Sequence, residues 1–218
     1  MSKIETNVVK PPIKFLDGEK EYVIFDTEWE APLDGKISEV ETYMSSNNGK
    51  DQEESIKDDL YKNAQLLWKE YIGILTDAKY NFFLNRPQYQ FLMDLIKRKM
   101  EYDVNTVFFA IELTNLLNEM QNKNFKNDEE YLSFQVNATE ITYIYHLISK
   151  HKVKGLSKSA YLFSEVLLKI GDISKVFNYY DTAGKNLSTE IQNWVMTFEN
   201  GVDAESSEEE VIASEIVE

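Results

Sequence analysis

The stretch Val104–Met120, which reads VNTVFFAIELTNLLNEM, decides the fold class of this chain. Its apolar side chains are too crowded to lie on one stripe of a helix; they are Val107, Phe108, Phe109, Ala110, Ile111, Leu113, Leu116, Leu117 and Met120. A helix that is apolar nearly all round must be covered on most sides by other elements. Polar residues interrupt the run, which falls short of the roughly 18 apolar residues of a membrane span. The sequence therefore predicts the central helix of a soluble helical domain.

Apolar residues recur at helical spacing before this segment. Spacings of three and four residues predict a helix from about Glu53 to Ala78. Pro87 suits the first turn of the next helix, where its missing N–H costs nothing. That helix is expected to end near Lys97, where cations complement the helix dipole.

After the central segment, residues 129–136 allow either a short helix or a strand. Asn137 and Glu140 then have the spacing of a capping box, which predicts that another helix begins there. Ser157 can cap the helix that follows.

A long apolar ladder runs from Ala160 to Phe198. Its length is typical either of a coiled-coil hairpin or of two helices with a break. We place the break at Gly171, because Asp172 could cap a new helix, and Asn200-Gly201 predicts the C-terminal end. The ladder could equally pair with itself in a second copy.

The first 50 residues predict extended structure rather than helix. Pro11 and Pro12 disfavour a helix there, and Asp17-Gly18 is a turn signal for a β-hairpin. Trp29 follows in an acidic context. It can pin this arm onto the helical body or serve as an aromatic anchor for another protein.

Charge is unevenly divided along the chain, whose net charge is −15. The net charge is +1 for residues 1–18, −9 for 19–60, zero for 61–201 and −7 for 202–218. A segment that carries seven acids and no base, as residues 202–218 do, is expected to be disordered in isolation.

These patterns together predict an all-α protein built as an irregular bundle of about six helices. The helical domain occupies residues 51–201. Residues 1–50 form an acidic N-terminal arm that is extended or makes a β-hairpin, and residues 202–218 form a disordered acidic tail.

The sequence lacks the residues and motifs that several common kinds of active site require. The chain has no Cys, which removes thiolate metal sites and Cys nucleophiles, and its two histidines lie five residues apart and not in metal-binding motifs. Phosphate-binding glycine loops and the Gly-x-Ser-x-Gly elbow do not occur in the sequence. We therefore predict no cofactor and no enzymatic activity, although an enzyme that uses carboxylates alone stays open.

Two basic clusters carry alternative interpretations. They consist of Lys97, Arg98 and Lys99, and of Lys150, Lys152 and Lys154. They can complement helix dipoles or contact phosphates. The acidic arms repel nucleic acid, so the charge pattern does not favour nucleic acid as a partner.

The sequence favours a non-enzymatic protein–protein interaction or structural subunit of a larger assembly, for example a phage or virus particle. The alternative is an acidic regulator or inhibitor of a basic nucleic-acid-binding protein. The expected partner is a protein, including a second copy of this chain, and not a membrane. The start of the chain lacks a secretory signal, so we expect a cytoplasmic location or assembly into a particle from the cytoplasm. The predicted partner-binding residues are Tyr22, Ile24, Trp29, Val211, Ile212, Ile216 and Val217.

Overall fold

The computed structural model describes residues 10–17, 19–47, 54–99, 107, 111, 114, 115, 118, 125–149 and 157–214. Helices make up 74% of the model, which confirms a mostly helical protein. Five helices, rather than about six, have defined bounds in this part of the chain. The elements in chain order are β1 (Lys14–Asp17), β2 (Lys20–Val23), α1 (Thr27–Ser46), α2 (Glu54–Asp77), β3 (Tyr80–Leu84), α3 (Arg86–Lys99), β4 (Leu132–Val136), α4 (Ala138–Ser149) and α5 (Lys158–Ser214).

The N-terminal hairpin is present as the sequence predicts. Strands β1 and β2 pair antiparallel, with Asp17 opposite Lys20 at the turn. An isolated hairpin is marginally stable in water and needs a surface to pack on. Here the chain continues from β2 into a bridge between Phe25 and Tyr80, and the Asn81 amide donates to the Ile24 carbonyl at 2.8 Å. The hairpin is thereby fixed to β3.

Strand β4 resolves the ambiguity that the sequence leaves at residues 129–136. It pairs antiparallel with β3, so that Phe82 lies opposite Phe134 and Tyr80 opposite Val136. All four of these side chains are buried. This second two-stranded sheet was not predicted from the sequence, because its two strands lie about 50 residues apart and no local pattern relates them.

The prediction of an extended arm over residues 1–50 is wrong for residues 27–46, which are helical. Helix α1 occupies Thr27–Ser46 and includes Pro32 in its second turn. Proline inside a helix removes a hydrogen bond and costs about 3 kcal/mol. Burial of the apolar side chains of Leu33, Val40 and Met44 offsets that cost.

The predicted helix starts and ends around the middle of the chain are largely confirmed. Helix α2 lies within one residue of the predicted bounds, and α3 ends at Lys99. Asn85 caps α3 by accepting the Gln88 amide at 3.0 Å. Asn137 and Glu140 form the predicted capping box at α4, with reciprocal hydrogen bonds of 2.7 and 2.8 Å.

Helix α5 runs from Lys158 to Ser214 without a break. The predicted break at Gly171 is wrong, because the apolar ladder continues in register through that residue. The predicted end at Asn200-Gly201 is also wrong, since the helix continues to Ser214 where the sequence predicts a disordered tail. The N-terminus of α5 is capped as predicted, by Ser157, which accepts the Ala160 amide.

The segment Val104–Met120 is described only at residues 107, 111, 114, 115 and 118, and all five positions are helical. The other residues of the predicted central helix, including Phe108, lie outside the described residues. Ile111 is 52% exposed, so the expected covering on most sides does not hold at this position.

Two compact units share the chain. Unit 1 comprises Met1–Glu30 and Thr76–Tyr179, and unit 2 comprises Ala31–Leu75 and Tyr180–Glu218. The core of unit 2 brings together side chains of α1, α2 and the second half of α5; they are Val40, Met44, Leu60, Ala64, Leu187, Ile191, Trp194 and Phe198.

Close packing in unit 2 centres on Gly184. A Cβ atom there would lie 2.7 Å from Cε1 of Tyr71, closer than real contacts allow. The Trp68 indole N–H donates to the Gly184 carbonyl at 2.9 Å, and the Tyr71 hydroxyl donates to the Tyr180 carbonyl at 2.5 Å. The glycine in the middle of α5 therefore lets the two large α2 aromatics reach the helix backbone.

Candidate functional site

A half-buried lysine, Lys169, lies within unit 1. Lys169 belongs to the apolar ladder of α5, and its amine donates to the Phe83 carbonyl at 2.9 Å. The amine also donates to Oε1 of Gln88 at 3.0 Å. The cation is thus held by one backbone acceptor from β3 and one side-chain acceptor from α3.

Gln88 is the buried polar residue that organises this region. It has no exposed surface, and its side-chain amide donates to Oε2 of Glu165 at 2.9 Å. Its Oε1 accepts from the Asn85 backbone amide at 3.3 Å as well as from Lys169. The amide therefore presents its oxygen to the cation and its nitrogen to the carboxylate, which satisfies both ends of a buried group.

Four aromatic rings, which we call the aromatic cage, pack on one another beside the lysine. Phe15 and Tyr22 of the hairpin stack with centroids 4.8 Å apart, and the Phe83 centroid lies 5.7 Å from that of Phe15 and 5.1 Å from that of Tyr22. Tyr131 makes edge contacts with both hairpin rings. The Lys169 amine lies 3.8 Å from the centroid of Tyr131 and 5.6 Å from that of Phe15, within cation–π range.

Burial dominates the electrostatics of the cage. It lowers the pKa of Lys169 from 10.5 to about 8, and the carboxylates of Glu165 and Asp17 partly oppose the shift. Burial also raises the pKa of Tyr131, and Asp17 and Glu165 raise it further. Tyr131 is therefore neutral at pH 7, whereas Lys169 begins to lose its proton just above it.

A cavity of about 180 Å³ opens beside the amine. The aromatic cage contributes Phe15, Phe83 and Tyr131 to its wall, and α5 contributes Glu165, Leu168 and Asp172 together with Lys169. Leu168 is 69% exposed, so this side of the cavity faces solvent. The lining combines apolar surface with a few convergent polar groups, a combination typical of small-ligand sites.

The structure accounts for some predicted partner-binding residues by internal packing. Tyr22 belongs to the aromatic cage, and Ile24 is 4% exposed and lines the cavity. Trp29 lies half-buried in the first turn of α1, where its backbone amide donates to the Asp26 carbonyl. Partner binding by these residues stays a prediction.

The remaining predicted site residues lie at the edge of the described chain or beyond it. The backbone of α5 includes Val211 and Ile212, whereas Ile216 and Val217 lie outside the described residues. In the first basic cluster, Lys97 is exposed and the backbone of α3 includes Arg98 and Lys99. The second cluster, consisting of Lys150, Lys152 and Lys154, lies outside the described residues.

Sequence reasoning missed Lys169, Gln88 and Tyr131. One signal was available, because Lys169 is a single cation between Leu168 and Ile170 in an otherwise apolar part of the ladder. A charge at such a position must be exposed or paired. The partners could not be identified, since they come from parts of the chain that only the fold brings together.

A metal-binding cluster and a membrane-spanning helix are both absent from the described residues. These residues contain no group of three or more His, Cys, Asp or Glu side chains arranged to hold a metal ion. None of the described helices is both long and apolar enough to cross a membrane. Comparison with protein-family models, with curated proteins and with solved structures gives no match to this chain.

Proposed function

We propose that this protein is a non-enzymatic subunit that binds a protein partner, and that unit 1 supplies the contact surface. The supporting observation is the uneven division of exposed large apolar side chains among the described residues. Unit 2 has Leu66 and Met196. Unit 1 has five, namely Leu16, Ile111, Tyr145, Tyr161 and Leu168. Exposed apolar surface concentrated on one part of a protein is typical of a contact site.

Helix α5 gives this surface its most regular part, which we call the α5 stripe. Tyr161 and Leu168 are 66% and 69% exposed and lie seven residues apart, so they share one helix face. Glu165 lies between them and Asp172 follows one turn later. An apolar stripe flanked by carboxylates fits a partner segment whose apolar residues are bordered by Lys or Arg.

The cavity is too small for most metabolites, which favours binding of a protein over catalysis on a metabolite of ordinary size. Its volume of about 180 Å³ is below the roughly 300–1,000 Å³ of typical ligand pockets. The polar groups on its wall are already engaged with each other, as the Lys169–Gln88–Glu165 hydrogen bonds illustrate.

The chain termini extend the proposal. Trp29 and the apolar residues of the C-terminal segment, among them Val211 and Ile216, are the candidates for further partner contacts. A helix with such residues can lie in a groove of another subunit. We include assembly into a larger particle, such as a phage or virus particle, in the proposal.

A second candidate is an acidic regulator of a basic, nucleic-acid-binding protein. The observation that favours it is the run of seven acids without a base in residues 202–218, which begins within α5. Salt separates the two candidates, because screening weakens exposed charge contacts and leaves apolar contacts largely unchanged.

The test compares two exposed leucines, one in each unit. Leu168→Arg places a cation in the α5 stripe, and Leu66→Arg is the matched control, since Leu66 is 55% exposed. Partners are identified by affinity purification with the full chain, then purified, and their Kd is measured against both variants. Self-association is measured in parallel by sedimentation.

We expect Leu168→Arg to weaken binding about tenfold or more, which corresponds to about 1.4 kcal/mol, and Leu66→Arg to have little effect. Tyr161→Ala should weaken the same complex. Equal binding by both arginine variants would contradict the proposed surface. Loss of the complex between low and physiological salt, with no effect of Leu168→Arg, would support the acidic regulator instead.

A further inference from the structure

We propose that Lys169 is a covalent capture site, at which a small uncharged aldehyde or ketone enters the adjoining cavity and condenses with the amine to an imine. The cavity shares Leu168, Glu165 and Asp172 with the α5 stripe, but the reaction at the Lys169 amine does not depend on partner binding. The argument rests on the position of the amine, its hydrogen bonds and the charges around the cavity.

The cavity has the size of a small ring compound. Its volume is about 180 Å³, and an apolar protein cavity of about 150 Å³ is known to bind benzene. The rings of Phe15 and Tyr131 form part of the wall, and Lys169 belongs to the same wall. A compound of benzaldehyde size can therefore stack on aromatic surface while its carbonyl carbon approaches the amine.

The hydrogen bonds of Lys169 suit the neutral amine. Its nitrogen donates to two acceptors, the Phe83 carbonyl and Gln88 Oε1. A neutral amine has two N–H groups, so deprotonation keeps both hydrogen bonds and removes the cost of a buried charge. Because burial lowers the pKa of Lys169 to about 8, the neutral fraction at pH 7.5 is roughly two orders of magnitude above that of an ordinary lysine.

The reaction balances without a further reactant. The amine lone pair forms a bond to the carbonyl carbon, and proton transfer gives a carbinolamine. The carbinolamine hydroxyl then leaves as water, the C–N bond becomes a double bond, and both amine hydrogens have been transferred to oxygen. Desolvated lysines are activated for this addition, because the neutral form is the nucleophile.

The charges around the cavity restrict the class of carbonyl compound. Glu165 and Asp172 line the cavity, and Asp17 acts on both Lys169 and Tyr131. Lys175 forms an ion pair with Asp172 at 2.8 Å, which leaves Glu165 and Asp17 as the dominant anions. A carbonyl compound that carries a carboxylate is repelled, whereas an uncharged one is not.

The experiment uses the full-length wild-type chain with two probes of similar size, benzaldehyde and 4-carboxybenzaldehyde. Each is incubated with the protein at pH 7.5 in the presence of sodium cyanoborohydride, which reduces the imine to a stable secondary amine. Peptide mapping by mass spectrometry gives the labelling rate at each lysine. Lys62 and Lys185 are the internal references, since their side chains are 69% and 74% exposed.

We expect benzaldehyde to label Lys169 at least tenfold faster than either reference lysine, although Lys169 is the more buried residue. The preference should fall by about tenfold with 4-carboxybenzaldehyde. Repeating the benzaldehyde reaction from pH 6.5 to 9.5 should give a rate ratio of Lys169 to Lys62 that declines above pH 8. The charged and titratable side chains of this region are Asp17, Glu165, Asp172, Tyr22 and Tyr131.

Two results would overturn the proposal. Labelling of Lys169 no faster than that of Lys62 and Lys185 would remove the capture site. If the labelling rate of Lys169 relative to the reference lysines were the same with both probes, the selectivity for uncharged carbonyl compounds would be contradicted. Because the wild-type protein is used throughout, neither result can come from a variant that fails to fold.

Discussion

Helix α5 contributes Lys169 to unit 1 and Gly184 to unit 2, and the neighbouring residues contact these two positions in different ways. Lys169 is held through hydrogen bonds and aromatic faces, with Gln88 linking it to Glu165. Gly184 has no side chain, and the rings of Trp68 and Tyr71 pack directly against the helix at that residue. Packing around Lys169 depends on the placement of polar atoms, whereas packing around Gly184 depends on the missing side chain of that glycine.

The difference predicts how each region responds to change. Buried apolar side chains make the stabilising contacts of the unit 2 core. The loss in free energy of unfolding should therefore increase with the side-chain volume that a substitution removes or adds. Around Lys169 the side chain is a titratable cation, so stability should depend on pH.

Removing the buried indole ring of Trp194 from unit 2 should have the largest effect. Trp194 is 3% exposed and makes edge contacts with Tyr43 and Phe198. We expect Trp194→Ala to lower the free energy of unfolding by about 3–5 kcal/mol, measured by urea denaturation with circular dichroism. Met196→Ala is the control, because Met196 is 55% exposed two residues further along the helix. Similar losses for both variants would contradict a volume-based core.

Adding a single methyl group at Gly184 should also destabilise unit 2. Alanine has a helix propensity better than that of glycine by about 1 kcal/mol, so in open space the substitution stabilises. At Gly184 the new Cβ meets Tyr71, which has no exposed surface and cannot move easily, and we expect a net loss of about 1–3 kcal/mol.

Gly171 is the matched control for this substitution, since nothing lies within 4 Å of a Cβ atom there. Gly171→Ala in the same helix should raise the free energy of unfolding by up to about 1 kcal/mol. If the two alanine variants changed stability in the same direction, the close approach at Gly184 would not be the determining contact.

The third experiment tests the titration of Lys169. Its pKa in the folded state, about 8, lies below the 10.5 of an ordinary lysine. Between these pH values the unfolded chain binds more protons than the folded one, so this residue makes the protein more stable as the pH rises from 8 to 10.5. Below pH 8 its unfavourable contribution is present in full.

Lys169→Met removes this titration, and comparison of the two proteins cancels the other titrating groups to first order. We expect the stability of the wild type relative to Lys169→Met to rise by about 1–2 kcal/mol across that range, after allowance for partial exposure of the amine. Lys175→Met, at a lysine that is 67% exposed, should show no such trend. A flat difference for Lys169→Met would show that the amine is not effectively buried.

Local features of the fold were predictable because their causes lie within a few residues of each other. The capping box of Asn137 and Glu140, the cap of α5 by Ser157 and the hairpin turn after Asp17 each depend on short-range hydrogen bonds or turn preferences. These features appear where the sequence predicts them.

The errors come from burial that short-range rules do not include. Pro32 locally opposes a helix, but burial of Val40 and Met44 stabilises α1 around it. Gly171 and Gly201 are locally good helix ends, but α5 continues through both. The aromatic cage and the lysine beside it bring together residues 15, 22, 83, 131 and 169, and no pattern in the sequence relates positions so far apart.

The anchoring of the hairpin also fixes an order of events when the chain is made. Strands β1 and β2 leave the ribosome before Tyr131 and Lys169, which follow more than 100 residues later and contact the rings of the hairpin. A two-stranded hairpin has little stability before such partners arrive. These two strands should thus be among the last elements to acquire native protection from hydrogen exchange. Until then, chaperones can bind Phe15, Leu16 and Tyr22.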